Sequence, residues 1–355
     1  MSIKVLVVDD SLFMRRLISD MLSSEPGIEV IDTARNGAEA VAKIPKMKPD
    51  CVTLDLMMPG WDGLTTLKNI MNQCPTPVVI LSAHSQKDAD ITIKCLEEGA
   101  VGFVLKPSGE LSLDIEKIKD QLTREVMAAS KVEIPRLKSL ILTKAEAPKR
   151  KLMGLHKIIV IGASTGGPQT LGGILFSLPG NFPLPILIAQ HMPTIFFSES
   201  LGTHLNSICQ LPVTVAKKGE IIQAARVYLA PGGFHMTLEQ DGKDTFICLR
   251  EGEPDSLSPS IDMTMKSVAQ TWGDNAVGII LTGMGNDGLE GMRAIKEAGG
   301  QTIVQDESSL IFGMPRVVIE AGLADRVLPA SEMATAILDS ASEERETESE
   351  KDARE

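Results

Sequence analysis

Short apolar runs alternate with helix-length segments along most of the chain, and this alternation limits what it can fold into. In the first part the runs fall at 3–8, 28–34, 51–54, 77–81 and 101–105. Segments suited to helices lie near 12–23, 38–47, 63–72, 87–98 and 111–128. A strand that is apolar throughout is buried on both faces, and a strand–helix alternation achieves this with helices on either side of a parallel sheet. Such crossovers are right-handed, so a doubly wound α/β domain is expected. A second α/β pattern starts at 157. Its runs at 158–161, 185–189, 277–281 and 301–304 read as buried parallel strands, 226–230 as a further strand, and 235–249 as a hairpin turning at Asp241-Gly242. Helices are expected near 168–177, 195–208, 260–272, 287–298 and 314–321.

A length of 355 residues exceeds one ordinary core and fits two domains. The expected division is a first domain over 1–125, a linker over 126–153, a second domain over 154–340 and an acidic tail over 341–355. The linker stretch mixes Lys, Arg, Pro, Ala and Glu without an apolar face, although Leu137, Leu140, Ile141 and Leu142 could pack on the second domain. The tail carries seven acids against three bases and no apolar stripe, which predicts disorder.

Composition narrows the function. Hydrophobic content of 43% and charged content of 23% fit a soluble globular protein. A net charge of −12 argues against nucleic acid as a partner. No apolar run reaches the ~18 residues that span a bilayer, so direct membrane insertion is not expected. Ile3 to Val8 reads as a strand rather than a signal peptide, and the expected location is cytoplasmic. The cysteines at 51, 74, 95, 209 and 248 form no Cys-x-x-Cys pair and read as reduced thiols, without a metal site or disulfide.

Polar residues collect where open α/β sheets bind ligands, at strand C-termini. Asp9 and Asp10 follow the first run, and Asp55 ends the third. Ser82 ends the fourth, and Lys106-Pro107 the fifth, a step that suggests a cis bond. Three carboxylates converging on one edge repel one another unless they hold a hard cation through oxygen ligands. A hydroxyl and an ammonium beside them suit phosphoryl oxygens. Each residue alone has an ordinary reading as a helix cap or solvated side chain, but five such residues at matching strand ends make coincidence a poor account.

In the second domain, Ile158-Ile159-Val160-Ile161-Gly162-Ala163-Ser164-Thr165-Gly166-Gly167 places a serine in a glycine-rich turn after a buried strand. By itself this is either a nucleophile or a phosphate cradle at a helix N-terminus. Two further loops bear on the choice, Gln190-His191-Met192-Pro193 and Thr282-Gly283-Met284-Gly285-Asn286-Asp287-Gly288. If their strands are neighbours, Ser164, His191 and Asp287 reach one edge. These types suit nucleophilic catalysis: the hydroxyl needs a base, imidazole can take and return its proton, and a carboxylate fixes the tautomer. The dinucleotide and P-loop glycine patterns are absent. Gly-x-Ser-x-Gly is present, but the order Ser, His, Asp departs from the α/β-hydrolase order.

Two family resemblances follow from these residues. Residues 3–125 resemble the receiver domain of two-component response regulators, through the Asp pair, the central Asp, the Ser and the Lys-Pro. The resemblance implies a flavodoxin-like fold and a phosphoprotein with Asp55 as phosphoacceptor. It further implies that Asp9, Asp10, Asp55 and the Met57 carbonyl hold Mg²⁺, that Ser82 and Lys106 sense the phosphoryl group, that Phe103 is a switch aromatic, and that a histidine kinase is the donor. Residues 155–330 resemble the catalytic domain of the chemotaxis receptor methylesterases, the CheB family. The match rests on Gly162–Pro168, Gln190–Pro193, Leu229–His235, Ser258–Asp262, Thr282–Gly288, Gln305–Glu307 and Phe312–Pro315. It implies a cytoplasmic hydrolase with a Ser164–His191–Asp287 catalytic triad, acting on glutamyl methyl esters of methyl-accepting chemotaxis receptors without a cofactor for ester hydrolysis. Deamidation of receptor glutamine is open. The N–H groups of Thr165 and Met284 are expected to form the oxyanion hole, with His235 and the 258–262 loop lining the pocket. A receptor-binding module with an inactive catalytic domain is the alternative. A transcription regulator is disfavoured, because no basic recognition helix is visible.

Overall fold

The computed structural model describes residues 2–106, 115–133, 157–253 and 257–342. The first domain runs β1 (Ile3–Val8), α1 (Leu12–Ser23), β2 (Ile28–Ala34), α2 (Gly37–Met47), β3 (Cys51–Asp55), α3 (Gly63–Gln73), β4 (Val78–Ser82), α4 (Gln86–Glu97), β5 (Gly102–Leu105) and α5 (Ile115–Ala129). The strands form one parallel sheet in the order β2-β1-β3-β4-β5. The strand order reverses between β1 and β3, so the residues that follow these two strands open onto a shared crevice. Ser11, Asn36, Asp62 and Ser85 cap α1 to α4 by accepting a backbone N–H of the first turn.

The second domain continues with β6 (Ile158–Ala163), α6 (Gly167–Ser177), β7 (Ile186–Gln190), α7 (Ile195–Ile208), β8 (Val213–Val215), β9 (Val227–Leu229), β10 (Phe234–Asp241) and β11 (Asp244–Glu251). It closes with α8 (Ile261–Trp272), β12 (Ala276–Ile280), α9 (Leu289–Glu297), β13 (Gln301–Gln305), α10 (Met314–Glu320), β14 (Arg326–Leu328) and α11 (Ala330–Ser342). Seven strands make a parallel sheet in the order β14-β13-β12-β6-β7-β9-β8, and β10-β11 is a separate antiparallel hairpin. β6 lies at the centre, and every residue of it is buried, as a strand covered on both faces requires. Its neighbours are β7 on one side and β12 on the other, so the order reverses at β6.

Both expected α/β architectures are present. The edge strands β8 and β14 were not visible in the sequence, because three residues are too short to show a period. Helix α5 runs past residue 125 to Ala129, since its buried stripe of Leu122, Val126 and Ala129 continues beyond that point. Helix α11 likewise runs past residue 340 to Ser342, with Met333, Ile337 and Leu338 buried. Residues 130–133 follow α5 as a turn with Val132 buried, while the expected linker from 134 on, the 343–355 tail and the Pro107 side of the suggested cis bond lie outside the described residues. All five cysteines are free thiols, and Cys51 and Cys95 are buried. No described helix is long and apolar enough to cross a membrane.

The two domains share a packed interface. Ile93, Leu96 and Leu105 of the first domain belong to the same buried apolar cluster as Phe197, Leu201 and Leu205 of the second. Phe103 stacks on Phe197 with ring centroids 4.6 Å apart and 13° between planes. Gln169 Nε2 donates to the Ala100 carbonyl at 2.8 Å, and Gln86 Nε2 to Ser200 Oγ at 2.9 Å. His204 pairs with Glu97 at 2.5 Å.

Candidate active site and acidic cluster

Ser164 follows β6, His191 follows β7, and Asp287 lies in the loop after β12. These three strands are adjacent, with Ala163 in register with Gln190 and Ile280 with Gly162. His191 Nδ1 lies 3.0 Å from Ser164 Oγ, and His191 Nε2 lies 2.8 Å from Asp287 Oδ2. The imidazole therefore bridges hydroxyl and carboxylate, in a line that is mostly withdrawn from water: 9% of the His191 side chain and 15% of the Asp287 side chain are exposed.

The backbone fixes the serine. Ser164 N donates to the Thr282 carbonyl at 3.0 Å, Gly167 N donates to the Ser164 carbonyl at 2.8 Å, and Gln190 Nε2 donates to the same oxygen at 2.9 Å. Gly166 takes φ +80°, a conformation open to glycine. Gly283 has no side chain because a Cβ there would stand 2.7 Å from Ser164 Cβ and 2.5 Å from the Met314 sulfur. Thr282 ties the loops together, its Oγ1 donating to the Thr165 carbonyl at 2.9 Å and its N–H to Gln305 Oε1 at 2.9 Å.

Asp287 is held by the start of α8. Ile261 N donates to Oδ2 at 2.8 Å and Asp262 N to Oδ1 at 2.9 Å, and Ser260 Oγ lies 3.4 Å from Oδ1. Burial works against the charge, but the hydrogen bond and charge of His191 and these backbone donors outweigh it, so the carboxyl lies below its ordinary range. The positive end of the α8 dipole acts in the same direction. Asp262 in turn accepts from Gly288 N at 2.9 Å and Gly291 N at 2.7 Å, capping α9. The first turn of α8 and the loop that carries Asp287 thus brace each other. His235 is buried, and its Nδ1 accepts from Ser260 N at 3.0 Å. It thereby holds the residue that caps α8.

Of the two residues expected at an oxyanion hole, Thr165 lies in the serine turn itself and Met284 follows Gly283, whose backbone packs against Ser164. The Thr165 hydroxyl is engaged elsewhere, donating to Glu125 Oε1 at 2.8 Å, and Met284 packs with Leu310 against the apolar cluster that contains Val126 and Ala129 of α5. Sequence reasoning gave no individual role to Gln190, Thr282, Gln305 or Glu125, and placed Asp262 only at the end of a loop expected to line the pocket. Of these only Asp262 carried a local signal, an acid in a first helical turn.

On the first domain, Asp9, Asp10 and Asp55 each bring a carboxylate oxygen, all within 4.8 Å of one another. Asp9 and Asp55 are buried and Asp10 is exposed. An all-oxygen acidic set of this size fits a hard divalent cation such as Mg²⁺. Lys106 Nζ reaches Asp9 Oδ2 at 2.7 Å and Asp55 Oδ1 at 2.8 Å. Burial opposes the ammonium charge, but Asp55 and Asp9 outweigh it and raise its pKa, while burial pushes Asp55 up against the lowering effect of Lys106. Ser82 is buried, and its Oγ accepts from Thr92 Oγ1 at 2.9 Å. The Met57 side chain is exposed, and its N–H donates to Asp55 Oδ1 at 3.2 Å.

A parallel-sheet domain with a serine–histidine–aspartate line at its switch point, joined to a receiver-type domain with an acidic cluster, defines a serine hydrolase built onto a response regulator. Comparison with known proteins gives the same class. The family described as CheB methylesterase matches residues 159–337, and the response regulator receiver domain matches residues 5–116. A Symbiobacterium thermophilum protein named protein-glutamate methylesterase/protein-glutamine glutaminase is 41% identical, the match covering 94% of this chain and 96% of that protein. A relative of the same name from Archaeoglobus fulgidus is 45% identical over 94% of this chain and 97% of its own length. The crystal structure of the Thermotoga maritima CheB methylesterase catalytic domain is similar with a TM-score of 0.50 and 41% identity, covering 53% of this chain and 98% of that one. The chain belongs to the CheB methylesterase family, with a receiver domain in front.

Proposed function

We propose that this chain is a receiver-regulated protein-glutamate methylesterase and protein-glutamine glutaminase of chemotaxis adaptation, and that Ser164, His191 and Asp287 carry its chemistry. The observation that supports this most directly is the continuous line from Ser164 Oγ through the His191 ring to Asp287 Oδ2. Ser164 Oγ attacks the side-chain carbonyl of a glutamyl methyl ester while His191 Nδ1 takes its proton. The resulting oxyanion is met by the N–H groups of Thr165 and Met284, each worth roughly 3 kcal/mol of barrier. Collapse breaks the C–O bond, and His191 returns the proton to the departing methanol; from glutamine, ammonia departs in its place. Water, deprotonated by His191, then cleaves the acyl-serine to free glutamate. Asp287 holds the ring and offsets the imidazolium charge.

The substrates are methyl-accepting chemotaxis receptors, and the phosphoryl donor is a chemotaxis histidine kinase in the cytoplasm. An Asp55 carboxylate oxygen takes the phosphoryl group from the donor imidazole, breaking the P–N bond. Asp9, Asp10, Asp55 and the Met57 carbonyl would hold the Mg²⁺, which supplies charge neutralisation for the phosphoryl oxygens. Lys106 and Ser82 then engage those oxygens. The receiver, through α4, β5 and α5, packs against the catalytic edge of the second domain, and phosphorylation loosens that packing. The substitution Ser164→Ala should abolish methanol release from methylated receptor membranes while phosphorylation of Asp55 proceeds. Retained release would remove Ser164 from the mechanism.

A further inference from the structure

Glu125 is a buried acid that the chemistry above does not use. It sits on α5 of the receiver and reaches across the domain boundary, where Thr165 Oγ1, next to the nucleophile, donates to its Oε1 at 2.8 Å. Its Oε2 is also buried and has no hydrogen-bond partner among the described residues. Gly102 on β5 leaves the room for this carboxyl: a Cβ at Gly102 would collide with it and stand 3.1 Å from Thr165 Cγ2. Among the described residues, the titratable and polar groups facing Glu125 are Arg124 on its own helix, the Cys51 thiol on β3 and the Thr165 hydroxyl. Gly102 brings none. Burial outweighs the Thr165 hydrogen bond and the Arg124 charge, and the carboxyl is pushed up to about 7.

The geometry points to Glu125 as a proton-operated latch: protonated, it seats against Thr165 and keeps the receiver on the catalytic edge; ionised, it favours separation, where water hydrates it. This rests on the gate reading above and gives the gate a second input. The sign follows from linkage. The closed arrangement binds the Glu125 proton more tightly than an open one in which the acid is solvated, so acid favours closure. From the ordinary glutamate range up to about 7, the closed-to-open ratio falls by at most about tenfold per pH unit, and it is flat above.

The test uses the full chain and methanol release from methylated receptor membranes between about pH 5 and about pH 8.5. Rates are taken with and without a small-molecule phosphoryl donor, and Asp55 occupancy is measured in each sample. The ratio of phosphorylated to unphosphorylated rate cancels the titration of the triad itself. In the wild type this ratio should fall by about tenfold or more up to pH ~7 and then level off. In Glu125→Gln, which imitates the protonated acid, it should stay at its acid value throughout. Gly102→Ala, which displaces the carboxyl, should raise the unphosphorylated rate at acid pH and flatten the slope. A flat wild-type ratio above one, or an unchanged slope in Glu125→Gln, would overturn the latch and leave the gate standing. If Glu125→Gln does not fold, an unchanged slope in Gly102→Ala overturns it. A ratio of one at every pH would overturn the gate and the latch together.

Discussion

Asp287, in the proposed catalytic line, receives two backbone N–H groups as well as the histidine. An asparagine there keeps one accepting oxygen but presents an NH2 group to a donor. Asp287→Asn should therefore lower kcat on the order of 10⁴ and cost about 1–3 kcal/mol of stability from the mismatched donor. Methanol release and thermal unfolding check the two parts separately. Release within tenfold of wild type would take Asp287 out of the mechanism. The depressed pKa carries a further sign: the stability that this ionised acid contributes is present above its unfolded value and is lost as the pH falls through its lower folded value. The three candidate residues that the structure brings together stood out in the sequence, because each follows an apolar run in a loop rich in glycine or proline. The service of Asp262 and Ile261 to Asp287 was not, since it joins segments about 25 residues apart through backbone donors that carry no side-chain signature.

At the level of elements, the domains meet where α4 and β5 face α6 and α7 and where α5 faces the serine turn and Met284. Phe103 on β5 stacks on Phe197 of α7, and such pairs are worth about 0.5–1.5 kcal/mol beyond their buried area. Phe103→Ala should raise the unphosphorylated esterase rate several-fold, up to about tenfold, while the fully phosphorylated rate changes little. The comparison is methanol release with and without phosphoryl donor; an unphosphorylated rate equal to wild type would mean that the stack does not hold the gate. The receiver resemblance singled out Phe103 as an aromatic on the fifth strand, whereas Phe197 read only as part of a helix. A helix pattern tells that a face is apolar, not which domain covers it. The same reason hid Glu125, which in sequence is one more acid among the charges of α5.

For the molecule as a whole, phosphorylation at one domain and hydrolysis at the other must be linked through the interface. Asp55→Asn should remove the rate increase caused by a phosphoryl donor and leave the unphosphorylated rate intact. A chain of residues 150–355 should in turn hydrolyse faster than the unphosphorylated full chain. Both are measured as methanol release, and a shortened chain no faster than the whole would count against the receiver as a gate.

By itself, the sequence determined two α/β domains and the residues at their strand ends. Apolar periodicity reports burial and glycine reports turns, and both are local properties of the chain. Only the tertiary structure decided that β12, β6 and β7 are neighbours, which brings residues 164, 191 and 287 within hydrogen-bonding distance. It also decided that a buried receiver acid lies against the threonine beside Ser164. Strand order and domain docking are set by the summed fit of many distant side chains, and no local stretch of sequence records that sum.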